Sequence, residues 1–429
     1  MHQDDFQKQE GNLFTKSFFV LLALVLIGVY LVGVRCFKGV GAVSNLSDGY
    51  PWGIWITYDV AVGTAIACSG YAIAILVYIC HGMRYHPLIR SCILTSMFGY
   101  ALAGLSVMVD IGRPWNAYNF FVPARWQVNS VMFEVALCIM TYTVVLILEF
   151  LPTILYSLEK SEWRRLREFV DNLPAALSPD RAKLATRIDN VRAASGRIRA
   201  LLDKVLIFFI VLGITLPTMH QSALGSLLLI APSKLNPLWH TGFLPLLFLI
   251  NCIYIGYAIV ILESTLASYA FKRPIEIKEL SGLARIIPWL TAIWLSVVLG
   301  DLAWRHQLAA AVRFDFYSCF FLLDVGLVAL GSALLFCKRI RWSPRWLFVS
   351  AVLILLGGAL YRFNVYLIGF NPGPGWTYFP SFAEVMISVA FVAFEILAYQ
   401  LLVKLVPVFP RISLHGGSGK LDSEQEGAA

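Results

Sequence analysis

Apolar runs of about twenty residues recur along this chain, each closed by a short polar stretch. A helix needs about 20 apolar residues to cross a bilayer. Runs of that length lie at 17–35, 54–80, 92–110, 130–154, 203–230, 243–270, 286–304, 316–337, 346–368 and 383–407. They predict an all-α polytopic membrane protein with ten transmembrane helices in a domain from 17 to 407. Gly213 and Pro217 interrupt the fifth run, where a kink is expected. The first 16 residues read as a polar segment, and the first apolar run is a full-length span without a signal-peptide cleavage pattern. The tail (408–429, polar from 411) has a disordered composition.

The connections alternate in character. One set is basic: 81–90, the long stretch 157–202, 271–285, 337–345 and the C-terminal tail. The other set is rich in Gly, Pro, Asn and aromatics: 36–53, 110–129, 231–242, 305–315 and 369–382. All but eight of the 34 Lys and Arg residues fall in or beside the basic set and the termini. The positive-inside rule then places both termini in the cytoplasm, with the aromatic loops facing outward from a bacterial inner membrane. The insertion at 159–202 mixes Arg and Lys with Glu and Asp, and reads as an exposed, solvated helical hairpin on the cytoplasmic side.

Composition supports lipid as the solvent. The chain is 59% hydrophobic and 14% charged, against about 25% charged for a soluble domain. The net charge of +8 suggests nucleic acid at first sight, but its distribution is a topology signal, so no nucleic-acid partner is expected. The eight cysteines, Cys36, Cys68, Cys80, Cys92, Cys138, Cys252, Cys319 and Cys337, form no C-x-x-C pair. No metal site and no iron–sulfur cluster is expected in this chain.

The outward loops 39–55, 110–126 and 370–380 combine tight-turn residues with Trp, Tyr and Arg. Aromatics at an interface form a belt; with Gly, Pro and Asn among them, they also suit a docking surface for a partner on the outer face.

Ionisable residues inside spans are costly and are functional candidates by default. One group lies in helices 2–5: Asp59, Asp110, Glu134 and His220, with Tyr100 about two turns below Asp110. A second comprises Glu263, Asp301, Asp324, Arg362, Glu384 and Glu395. Arg362 is offered Asp301 or Glu384 as a structural ion-pair partner. His220, in LPTMHQSALGSL (216–227), is the one histidine firmly within the hydrocarbon. A bis-histidine haem needs two facing intramembrane imidazoles, so no haem is expected. A quinone fits the remaining chemistry, because it enters from lipid and needs polar partners at each carbonyl plus proton-exchanging groups. His220, Asp59, Asp110 and Arg113 are the head-group candidates, with Trp52 and Trp55 at the entry. Glu134, Tyr100, Glu263 and Asp324 are candidates for a proton path.

SDGYPWGIWITYDVAVGTAIACSGYA, FGYALAGLSVMVDIGRPWN, NSVMFEVALC, LPTMHQSALGSLL and FNPGPGWTYFPSFAEV together resemble the NrfD/PsrC family of quinone-reactive integral membrane subunits. Within it, the likeness is to the membrane subunits of periplasmic [NiFe]-hydrogenases, over about residues 36–410. The insertion around 159–202 is longer than that resemblance leads one to expect. The resemblance implies two four-helix bundles (helices 2–5 and 6–9) with helices 1 and 10 peripheral. It also implies a periplasmic ferredoxin-like iron–sulfur partner, the large and small hydrogenase subunits, and electron exchange with menaquinone or ubiquinone, coupled in some members to proton movement. Two rivals stay open: a secondary transporter, or a passive anchor without quinone chemistry.

Overall fold

The computed structural model describes residues 6–9, 11–12, 14–158 and 181–410. Among them are ten helices long and apolar enough to cross a membrane: α1 (Lys16–Lys38), α2 (Trp55–Ile79), α3 (Ile89–Asp110), α4 (Val131–Ser157) and α5 (Arg181–Ser226), then α6 (Leu244–Ala270), α7 (Ile277–Trp304), α8 (Phe316–Phe336), α9 (Pro344–Ile368) and α10 (Phe382–Leu405). The hydropathy reading and the structure agree: this is an all-α, multi-pass integral membrane protein. Several helices begin at a side-chain cap, which satisfies an N–H group that lipid cannot. Thr15, Ser130, Asp315 and Ser381 accept from the amides of Phe18, Phe133, Ser318 and Glu384.

Helices α2–α5 pack in a ring of four, and so do α6–α9; α1 lies along α10, and α10 reaches α3. The two bundles meet where α2 crosses α6. A Cβ added at Gly256 would stand 2.8 Å from the Cys68 carbonyl oxygen, so the backbones touch there. Gly28 gives the same close approach between α1 and α10, where an added Cβ would overlap Ala390. Only Gly28 and Arg35 of α1 are buried. Arg35 donates to the carbonyls of Val109 (2.7 Å) and Ile111, closing the end of α3.

Two helices depart from α geometry. π-Helical stretches occupy Trp55–Val62 and Ile75–Ile79 of α2, and Asn364–Ile368 ends α9 in the same way. Such stretches turn side chains and carbonyls off their α-helical register, and they occur often at functional sites.

Strand β1 (Phe6–Gln7) pairs antiparallel with β2 (Phe409–Pro410), and Gln9 N–H donates to Val403 O at 2.8 Å. Both described ends therefore share one side of the molecule, the terminal face. On the opposite, aromatic face the loops are knitted together. Leu235 bridges Phe370, and Asn236 N–H donates to Gly369 O. Tyr50 stacks on Tyr378 at 5.5 Å. Glu384, fully buried, accepts from Asn45 N–H (3.0 Å), Ser381 N–H (2.7 Å) and the Tyr378 hydroxyl (2.6 Å). Burial, and then that bond to the carboxylate, push the Tyr378 phenol above its ordinary value.

One expectation, the partner of Arg362, needs correction. Helix α5 begins at Arg181, so the half of the 159–202 insertion that is described is helical and continuous with the fifth span. At 1.5 Å per residue its 46 residues reach about 69 Å, twice a hydrocarbon core of about 30 Å. It stays helical through Pro217. Arg362 pairs with neither proposed carboxylate: Asp301 takes Arg305 at 2.6 Å, one helical turn on, and Glu384 serves the loops. The remaining readings for 159–180 and 411–429 lie outside the described residues.

Candidate functional site

Three buried polar centres stand between the helices. The first is inside α2–α5. His220 is fully buried on α5, with Nε2 3.2 Å from the Thr64 hydroxyl of α2. Thr64 donates to Val60 O at 2.6 Å and accepts from Gln221 Nε2 at 3.1 Å. Gln221 also reaches the Tyr100 hydroxyl (3.4 Å), which lies 3.5 Å from Cys68 Sγ. The Tyr100 ring stands edge-on to the imidazole at 5.5 Å and to Tyr142 at 4.6 Å. His220 Nδ1 and Gln221 Oε1 are buried without a hydrogen-bond partner among the described residues. Buried polar atoms are seldom left so, which marks this centre as one with capacity for a further partner.

The second centre is a slot of about 410 Å³ between α2, α3, α6 and α10. Its walls are mostly apolar, and Leu266, Val392 and Ile396 on its rim are exposed on the outside of the helices, so it opens sideways toward lipid. Asp59 lines it near the aromatic-face end. One Asp59 oxygen accepts from Ser106 (2.9 Å) and Ser388 (2.8 Å). Ser106 also bonds Trp55 O at 3.2 Å, which ties the entry tryptophan to the carboxyl group. Glu263, Glu395 and Tyr399 line the slot further toward the terminal face. Glu263 accepts from Thr95 at 2.8 Å.

The third joins the two bundles and runs into α6–α9. Arg362 is fully buried; it donates to Asn251 Oδ1 (2.5 Å), Phe248 O (2.7 Å) and, across the seam, Ala61 O (2.9 Å). Asp324, also fully buried, accepts from Asn364 (2.6 Å) and Trp239 Nε1 (3.3 Å).

The sequence grouped these residues by depth, and the structure sorts them by helix face. His220 joins Tyr100, but on the α5 side of α2. Asp59 faces α3 and α10 instead, sharing the slot with Glu263. Asp324 is in the other bundle. Asp110 is half-buried at the end of α3, with one oxygen unpartnered among the described residues. Arg113 is exposed on the loop beyond it. Glu134 is half-buried in the first turn of α4. Trp52 Nε1 donates to Tyr366 O at 3.0 Å, and the fully buried Trp55 donates to Glu384 O at 3.2 Å. Sequence reasoning missed Ser106, Ser388, Thr64 and Tyr399. A hydroxyl in an apolar run usually serves its own helix carbonyl, and nothing local distinguishes these.

Among the described residues, no group of three or more His, Cys, Asp or Glu is placed to hold a metal ion. His220 is the one histidine within the interior of the ten helices, and it faces a hydroxyl and a phenol rather than a second imidazole. These residues do not fit a bis-histidine haem.

Ten apolar helices in two bundles, with titratable groups buried among them, define a multi-pass integral membrane protein. The chain is a member of the polysulphide reductase NrfD family, whose profile matches residues 42–371. It is 38% identical over 409 residues, 95% of each chain, to the probable Ni/Fe-hydrogenase 2 b-type cytochrome subunit of Escherichia coli (strain K12). It is 25% identical over 426 residues to the menaquinone reductase integral membrane subunit of Nitratidesulfovibrio vulgaris (strain Hildenborough), covering 92% of this chain and 93% of that one. A second protein of that organism is 32% identical over 416 residues, 92% of this chain and 95% of that one.

Proposed function

We propose that this chain is the quinone-reactive membrane subunit of a respiratory oxidoreductase. It exchanges electrons between a periplasmic iron–sulfur subunit, of a [NiFe]-hydrogenase, and menaquinone or ubiquinone. The observation that carries the reading is the slot. It opens to lipid, from which a quinone arrives, and reaches a carboxyl group beneath the knitted aromatic loops. Its volume lies within the roughly 300–1,000 Å³ of small-molecule sites. Two relatives, one a probable hydrogenase subunit and one a menaquinone reductase subunit, support the same chemistry.

In this reading the terminal face, which carries the basic connections, is cytoplasmic, and the aromatic face receives the iron–sulfur subunit. Reduction of the quinone adds two electrons and two protons, one proton to each carbonyl oxygen. Asp59, held by Ser106 and Ser388 at the slot wall, is the proton-exchanging group at the head group. Trp55, whose carbonyl takes Ser106, backs the wall above it, while Trp52 packs on Tyr366 and Phe370 of the aromatic face. Asp110 and Arg113 stand at the start of the 110–126 docking loop, where Arg113 is exposed to meet a partner's acidic surface. His220 and Tyr100 form the polar core behind α2.

The test is quinone turnover by the purified complex together with labelling by a photoreactive quinone. Label on α2 or α10 peptides, and an Asp59→Asn complex that assembles but turns over quinone on the order of a hundredfold more slowly, are the expected results. Wild-type turnover in Asp59→Asn, with label elsewhere, would overturn the reading and favour a passive anchor.

A further inference from the structure

The slot does not end freely at the terminal face. Glu263 and Tyr399 line it, and the same two side chains line a second, smaller cavity of about 20 Å³. Ser264, Arg273, Glu276 and the β2 residues Phe409 and Pro410 complete that cavity. A cavity needs only about 10–15 Å³ by this measure to hold one water. The second Glu263 oxygen, Oε1, and the Tyr399 hydroxyl are buried and face one another, and neither makes a well-formed hydrogen bond to a third group among the described residues. One water in the cavity, which both side chains line, can bond to both.

Further carboxyl groups follow along the slot wall. Glu395 Oε1 lies 3.8 Å from the place a Cβ on Gly99 would take, Glu263 is bonded to Thr95, and Asp59 is bonded to Ser106. Thr95, Gly99 and Ser106 are successive marks along α3, four and seven residues apart. At 1.5 Å per residue the steps are about 6 and 10 Å. Tyr100, by contrast, is engaged with Gln221 and Cys68 behind α2.

We propose that these groups form a proton route along the slot wall, from Asp59 through Glu395 to Glu263 and Tyr399, and through the water-filled cavity to the terminal face. The proposal rests on the reading of the slot as the quinone site. Each quinone reduced takes two electrons from the partner's iron–sulfur cluster and two protons from Asp59. Asp59 is reprotonated through water and Glu395 from Glu263, and Glu263 through the cavity. Quinol oxidation runs the same route in reverse. Phe409 and Pro410 of β2 wall the cavity, and Arg273 holds that strand by a bond to Pro410 O (3.1 Å) and by stacking on Phe409 (4.0 Å). Glu276, bonded to Ser264 at 2.9 Å, also lines it.

The experiment uses the whole complex in liposomes of one orientation, with pH dyes on each side and a photoreactive quinone. Glu263→Gln and Tyr399→Phe each slow proton exchange at the terminal face on the order of a hundredfold, while the slot is labelled as in wild type. Glu263→Asp restores part of the exchange, which a merely structural role would not predict. Unchanged exchange at that face in Tyr399→Phe and in Glu263→Gln overturns the route. If the wild-type slot takes no label, the quinone reading falls by itself. The route is then judged by infrared titration: a carboxyl band absent from Glu263→Gln supports it, and identical spectra overturn it.

Discussion

Glu384 shows how one side chain can set a surface. Its two oxygens accept from two backbone amides and a phenol drawn from separate loops. Glu384→Gln keeps the shape and can keep an oxygen on the two N–H donors, but its NH₂ then faces the Tyr378 hydroxyl, which loses its acceptor, and the charge that strengthens all three bonds is gone. Hydrogen bonds to a charged group are worth about 1.5–3 kcal/mol each, so a loss of about 2–4 kcal/mol is expected, read as a lower midpoint of thermal unfolding. Tyr378 gives the pH dependence. Its phenol is raised above its ordinary value in the folded chain, so above about pH 10 the unfolded chain sheds this proton and the folded chain keeps it. Stability from this group is then complete below about pH 10 and falls as pH rises further. The difference between wild type and Tyr378→Phe in alkaline melts isolates it; a difference independent of pH would refute the assignment. At this scale the sequence supplied residue types and depths but not neighbours. Asp301–Arg305 is a local pair one turn apart and was readable. Arg362 was misread because its partners are two backbone carbonyls and a neutral amide, Asn251, on other helices, none of which a search for carboxylates would find.

Helices were the most legible level, because the bilayer imposes length and hydropathy on each of them. What hydropathy cannot see is a helix that continues past the hydrocarbon. Helix α7 begins at Ile277 rather than near 286, because KELSGLAR is polar yet helical, and α5 extends back to Arg181 for the same reason. The π-stretches of α2 were invisible too, since they depend on what the freed carbonyls find around them. The fit of α1 onto α10 yields an element-scale prediction. Gly28→Leu has no room against Ala390, whereas at Gly33 of the same helix an added Cβ meets nothing within 4 Å. Gly28→Leu should therefore cost about 1–3 kcal/mol and open disulfide crosslinks engineered between α1 and α10. Gly33→Leu should leave both the melting midpoint and the crosslinks unaltered. Equal effects would mean that α1 is not seated by this contact.

The two bundles behave as one body only as far as their seam holds, and Arg362 is a polar tie across that seam beside the Tyr366 hydroxyl, which donates to Leu224 O at 2.7 Å. Its three bonds run to Asn251 and Phe248 in one bundle and to Ala61 in the other. The Ala61 carbonyl belongs to the π-stretch of α2, so the guanidinium also satisfies an oxygen that the irregular helix sets free. No carboxylate balances it among its hydrogen-bond partners; carbonyl dipoles and the Phe248 face, 4.6 Å away, do so instead. Removing the side chain thus strands acceptors on both sides of the seam. Arg362→Met should cost about 3–5 kcal/mol, the range for leaving buried polar partners of a charge unmatched, and should turn one unfolding transition into two as the bundles part. Arg362→Lys keeps the charge but cannot span three acceptors with a planar fork, and should fall between. Protease cleavage at engineered sites in the 231–242 and 371–380 connections, which link α6–α9 to the rest of the chain, followed by native electrophoresis, reads the same event directly: fragments that stay together in wild type should separate in Arg362→Met. If the cleaved variant holds together and melts in one step, small-residue packing at Gly256 joins the bundles, and Arg362 serves only the local geometry of α2.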